Sequence, residues 1–85
     1  MLVELIKEGE LMKINNYHSS EFGNYVQGED YEKWIAKCII FLEDNYWQRT
    51  ITQRFINASK DAVGNDVMHY DTMMGIIKGI SEMGA

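Results

Sequence analysis

One stretch of the sequence, residues 31–42, places apolar side chains at the spacing of an α-helix. The apolar positions in it are Tyr31, Trp34, Ile35, Cys38, Phe41 and Leu42. Positions related by three, four and seven residues lie on one helix face, and a face this apolar must be covered by other elements. The chain contains no proline, the strongest helix breaker, so helices are permitted along its whole length. These features predict an all-α fold with this helix near its centre.

Glycines and polar clusters divide the rest of the chain. We predict four helices, at Leu2–Ile14, at Glu29 or Asp30 to Asn45, at Thr50–Ala62 and at Val67–Glu82. Thr50 with Gln53 has the spacing of a capping box, and Asp66 is placed to cap the fourth helix. Gly9 interrupts the first helix at a cost of about 1 kcal/mol relative to alanine. The prediction is one compact domain over residues 1–85, with a flexible tail at 83–85.

The segment from Asn15 to Asp30 is the least regular part of the chain. It carries turn formers such as Gly23 and Asn24, together with several aromatic residues. That apolar content is too high for a free linker. We therefore predict a compact loop folded onto the bundle, with a tight turn near Phe22–Tyr25.

Composition excludes several classes of protein. The single cysteine allows no internal disulfide and is typical of a reducing, cytoplasmic setting. The net charge of −5 disfavours nucleic acid as a partner, because phosphate contacts need a basic surface. The longest apolar run, Cys38 to Leu42, is far too short to span a membrane.

No pattern predicts a catalytic, cofactor or metal site. The glycines form no phosphate-binding loop, and no zinc-type spacing of cysteine and histidine is present. Asp66 and His69 are three residues apart and could face a cation together, but an N-cap beside a partly exposed histidine is the simpler interpretation. Cys38 lies on the apolar stripe, which predicts a buried side chain rather than a nucleophile.

Two features indicate an interaction surface. Gly75 and Gly79 lie one turn apart on the fourth helix, which creates a smooth strip where another backbone can approach closely. That approach could be a crossing within the chain or a contact with a second copy. The aromatic and methionine content also exceeds what a small core needs. We therefore expect a symmetric homodimer. The candidate interface residues are Trp47, Tyr70, Met74, Gly75 and Gly79.

Three stretches resemble a helical segment found in bacterial proteins. They are LVELIKEGELM near the start, YEKWIAKCIIFL over residues 31–42, and TQRFINAS over residues 52–59. Some proteins with this segment have abortive-infection or HEPN-type helical domains. The resemblance implies an alternative function, as a small component of a bacterial or phage defence system. The HEPN nuclease pattern of arginine followed closely by histidine is missing, because Arg49 and Arg54 precede no histidine before His69.

Overall fold

The structure is a computed structural model, which describes residues 1–84. Its elements are α1 (Leu2–Asn16), β1 (Tyr17–Ser20), β2 (Gly23–Val26), α2 (Glu29–Asn45), α3 (Thr50–Ser59) and α4 (Met68–Glu82). Helix α1 packs against α2 and α4, and α3 contacts both α2 and α4. The predicted compact set of helices is confirmed, although the chain is not purely all-α. Within residues 1–84, no helix combines the length and the apolar character needed to cross a membrane.

The predicted loop after the first helix is instead a β-hairpin. Strands β1 and β2 pair antiparallel, with Tyr17 opposite Val26 and Ser20 opposite Gly23. The turn therefore lies at Glu21 and Phe22, before the predicted position. The Ser20 hydroxyl holds it by accepting a hydrogen bond from the Phe22 N–H at 3.2 Å and donating to the Gly23 carbonyl at 2.8 Å.

The hairpin is attached to the segment between α3 and α4. The Gly64 N–H donates to the Val26 carbonyl at 2.9 Å, and the Val67 N–H donates to the Asn24 carbonyl at 3.0 Å. Gly64 has a φ of +80°, a conformation that glycine adopts at no steric cost. No local sequence pattern predicts these contacts. They hold the hairpin against the helices.

Several helix ends differ from the predicted ones. Helix α1 runs to Asn16, two residues beyond Ile14, and α3 ends at Ser59 rather than Ala62. No side-chain cap forms at the start of α3, so the predicted capping box is wrong. The Asp66 carboxylate does accept a hydrogen bond at the start of α4, from the Met68 N–H at 2.8 Å.

The predicted flexible tail is only partly covered by the structure. Met83 and Gly84 both donate backbone hydrogen bonds to carbonyls of the last turn of α4. They therefore continue the end of the helix, and Gly84 has the positive φ of +87° that is common just after a helix. The last residue of the predicted tail, Ala85, lies outside the described residues.

The core is built around Trp34, whose side chain is completely buried. Its ring lies 6.3 Å from the Phe55 ring and 5.6 Å from the Tyr70 ring, between centroids. The indole N–H donates to the Leu5 carbonyl at 2.8 Å. This bond satisfies the one polar atom of Trp34 and ties α2 to α1, so the residue serves as both the largest apolar group and a helix-to-helix link.

Gly9 allows α1 to approach this cluster. A Cβ atom at Gly9 would lie 2.6 Å from Met74 Cε and 2.6 Å from Trp34 Cε2. Carbon atoms do not approach so closely without displacement, so only glycine fits at this crossing. Helix α1 continues through Gly9 to Asn16. The interruption predicted from propensity is therefore a point of close helix packing.

The two buried tyrosines, Tyr31 and Tyr70, differ in whether the hydroxyl group has a hydrogen-bond partner. The Tyr70 hydroxyl donates to the Gly9 carbonyl at 3.2 Å, whereas the Tyr31 hydroxyl has no partner among the described residues. Burial raises the pKa of both phenols, that of Tyr70 to about 12, so both are neutral at pH 7.

We expect Tyr70→Phe to lower the free energy of unfolding by about 1 kcal/mol, because the Gly9 carbonyl loses a bond. Tyr31→Phe should leave that free energy unchanged or raise it by up to about 1 kcal/mol, because it removes an unsatisfied buried hydroxyl. Urea denaturation followed by circular dichroism measures both variants. A larger loss for Tyr31→Phe than for Tyr70→Phe would contradict this assignment of the two hydroxyls.

Candidate interaction site

The single cysteine, a candidate catalytic nucleophile, has a structural role. Cys38 is buried, and burial together with the nearby Glu8 carboxylate raises the pKa of its thiol to about 12, although Lys37 opposes the shift. The residue is therefore a neutral thiol at pH 7, not a nucleophilic thiolate. Over residues 1–84, no group of three or more histidine, cysteine, aspartate or glutamate side chains could hold a metal ion.

The structure separates the five predicted interface residues into three locations. Tyr70 and Met74 belong to the core, with only 4% and 5% of their surface exposed. They cannot supply side-chain area to a partner, so the prediction for these two is corrected. Gly75 and Gly79 are exposed on α4. Trp47 is 70% exposed, but it lines a separate depression beside Gln53 and Ile56.

Gly75 and Gly79 form the floor of a groove between α3 and α4, with a volume of about 850 Å³. We call it the α3–α4 groove. Its other lining residues are Tyr46, Arg49, Ile51, Arg54, Asp71, Thr72, Ile76, Ile80, Met83 and Gly84. The aliphatic residues of the lining are Ile51, Ile76 and Ile80, and Met83 is 87% exposed. The surface is thus an open apolar channel with charged residues around it.

No described part of the chain covers this floor. A Cβ atom built at Gly75 or at Gly79 would meet nothing within 4 Å. This distinguishes them from Gly9, where the core leaves no room. The sequence leaves open a helix crossing within the chain or a contact with a second copy. Over residues 1–84, no other helix crosses α4 at these two glycines.

The groove holds both arginines of the chain, Arg49 and Arg54, and one carboxylate, Asp71. Across residues 1–84 none of the three takes part in an ion pair. The ion pairs that do form involve glutamates of α1 and α2, such as Glu8 with Lys37 at 3.1 Å. A chain with a net charge of −5 therefore has its two guanidinium groups at one apolar surface.

The sequence alone identified the floor of the groove but not its walls. Ile76 and Ile80 follow the glycines directly, so the spacing could have placed both isoleucines beside this strip of α4. The contribution of Arg49, Ile51 and Arg54 depends on how α3 packs against α4. No local pattern contains that information.

A second apolar group is exposed at the tip of the hairpin, where Phe22 is 96% exposed. It stands alone at the turn and lines none of the described cavities. Single exposed apolar residues are common on soluble domains and do not by themselves indicate a site.

The chain was compared with models of protein families, with curated proteins and with solved structures, and none of the three comparisons gave a match. The resemblance to helical segments of defence proteins therefore stays a prediction.

Proposed function

We propose that this chain is a non-catalytic interaction module that associates with a second copy of itself through the α3–α4 groove. The observation that carries the proposal is the open space above Gly75 and Gly79, on the floor of an apolar groove. Two glycines inside a helix cost about 2 kcal/mol of helix propensity together. Nothing in the described chain uses the close approach that they permit, whereas an incoming helix would.

A second copy is a suitable occupant because the exposed face of α4 is complementary to itself. The face has notches at the exposed Gly75 and Gly79 and carries the half-buried side chain of Ile80 beside them. In a two-fold arrangement each copy offers the same ridges and notches, so one patch supplies both halves of the contact. A contact of ordinary size buries about 800 Å² on each copy. That is roughly one seventh of the 5513 Å² surface of the chain.

The proposal predicts that Gly79→Leu weakens the dimer while leaving the fold intact. Leucine fills the notch that receives a partner side chain, and nothing within the chain resists it, because the space above Gly79 is open. We expect the dissociation constant to rise at least about tenfold, which corresponds to about 1.4 kcal/mol. Helical content should stay the same or rise, because leucine is a better helix former than glycine.

Sedimentation equilibrium at tens of micromolar measures this effect, and circular dichroism checks the fold. The matched control is Ala36→Leu, which adds a leucine to an exposed position of α2 outside the groove. The control should dimerise like the wild type. If Gly79→Leu associated as tightly as Ala36→Leu, the groove would not be the contact surface.

A further inference from the structure

The α3–α4 groove carries opposite charge at its two ends. Asp71 lies in the first turn of α4, and Met83 lies just after its last residue. At 1.5 Å per residue these positions are about 18 Å apart along the helix. Arg49 immediately precedes α3. Contacting helices joined by a connection as short as residues 60–67 are typically antiparallel, which brings Arg49 to the Met83 end of the groove.

This separation explains why Arg49 and Asp71 form no ion pair within residues 1–84 although both line the groove. The groove is a channel with a positive end and a negative end. Two such channels attract each other when they are stacked head to tail, because each positive end then meets a negative end.

The apolar residues favour the same orientation. A two-fold axis that crosses α4 between Ile77 and Lys78 places Gly75 opposite the partner's Ile80. Ile80 of each copy then faces a glycine notch of the other, which is the large-against-small packing that dense interfaces require. The same axis places Asp71 opposite the partner's Gly84, at the end of the groove where Arg49 lies.

We infer that the two copies associate with their α4 helices antiparallel, and that Asp71 of each copy pairs with Arg49 of the other. The inference rests on the self-association proposed above and specifies its geometry. An antiparallel pair also opposes the two helix dipoles, which is favourable. A parallel pair would align these dipoles and place Asp71 beside the partner's Asp71, so like charges would meet at one end.

Charge reversal tests the inference. One variant carries Asp71→Arg, and the other carries Arg49→Asp. Each alone places like charges together at both ends of the contact. We expect each to dimerise at least about tenfold more weakly than the wild type, because juxtaposed like charges oppose association. Asp44→Arg, at an exposed α2 residue outside the groove, makes the same charge change as Asp71→Arg and should dimerise like the wild type.

The decisive measurement is an equimolar mixture of the two groove variants. In a heterodimer each end of the contact again joins an arginine to an aspartate, so the mixture should regain an affinity within about threefold of the wild type. Sedimentation velocity with one variant carrying a fluorescent label distinguishes the heterodimer, and circular dichroism confirms that each variant is folded.

If the wild type dimerises but the mixture associates no better than its components, the antiparallel pairing is wrong and the proposed self-association stands. If Asp44→Arg weakens the dimer as much as Asp71→Arg does, the weakening is not specific to the groove and the pairing is again wrong. If the wild type is a monomer, both the pairing and the proposed function are overturned.

Discussion

Replacing Gly9 with alanine is expected to destabilise the protein, although alanine is the better helix former. The added methyl group would lie 2.6 Å from Trp34 Cε2 and 2.7 Å from Trp34 Cζ2. The flexible end of Met74 can move away, but the indole is packed on all sides and donates to the Leu5 carbonyl. Overpacking of this kind costs about 1–3 kcal/mol, and displacement of the indole adds the loss of a hydrogen bond.

We therefore expect the free energy of unfolding to fall by about 2 kcal/mol, which lowers Tm by on the order of 10 °C in a domain of this size. The controls are Gly75→Ala and Gly79→Ala, also in helices but with open space around them. Measured at concentrations where the chain is monomeric, each should raise stability by up to about 1 kcal/mol. Thermal and urea denaturation compare the three. A stabilising Gly9→Ala would contradict the close packing of α1 on Trp34.

The two tryptophans should differ sharply when each is replaced by alanine. Trp34 is the largest fully buried side chain, and it contacts the rings of Tyr31, Phe55 and Tyr70. Removing such a group costs about 3–5 kcal/mol. A domain of 85 residues has a total stability of about 4–13 kcal/mol. Trp34→Ala should therefore lose a large part of its stability, and at the low end of that range it should be unfolded at 25 °C.

Trp47→Ala is the matched control, because that side chain is 70% exposed and lies outside the α3–α4 groove. Its effect on stability should stay within about 0.5 kcal/mol, and dimerisation should be unaffected. Urea denaturation followed by circular dichroism measures both variants. Comparable losses for the two tryptophans would show that the core is not centred on Trp34.

The helices were predictable from the sequence because their apolar periodicity is local information. The stripe through Trp34 and Leu42 gives the buried face of α2 directly, and both residues are fully buried in the structure. The hairpin was not predictable in the same way. The residues of β1 are all exposed and show no alternation, and the hairpin depends on hydrogen bonds from Gly64 and Val67, distant in sequence.

The buried face of α4 shows a second limit of local patterns. Apolar residues surround much of this helix, and Met73, Met74 and Ile77 are buried together with Ile76. Periodicity alone does not decide which of them face the core, because the answer depends on where α1 and α3 pack. Tyr70 and Met74 were named as candidate interface residues because the chain has a surplus of aromatic and methionine side chains, although the structure places them inside.

The sequence also does not show whether a glycine within a helix lies against the core or faces open space. Helix propensity assigns Gly9, Gly75 and Gly79 the same cost, yet the structure gives them opposite surroundings. One lies against the packed Trp34 ring, and the other two face open space. Only the tertiary structure separates a glycine needed for folding from glycines available to a partner.

The most direct test of self-association through the α3–α4 groove is sedimentation velocity of the wild-type chain over a range of concentrations. Self-association through the groove predicts a reversible shift from a species of 9.9 kDa at low concentration to one of about twice that mass at tens of micromolar. The shift should move to higher concentration in Gly79→Leu and stay in place in Ala36→Leu. A wild-type chain that remains a 9.9 kDa monomer at about 100 μM would contradict self-association through the α3–α4 groove.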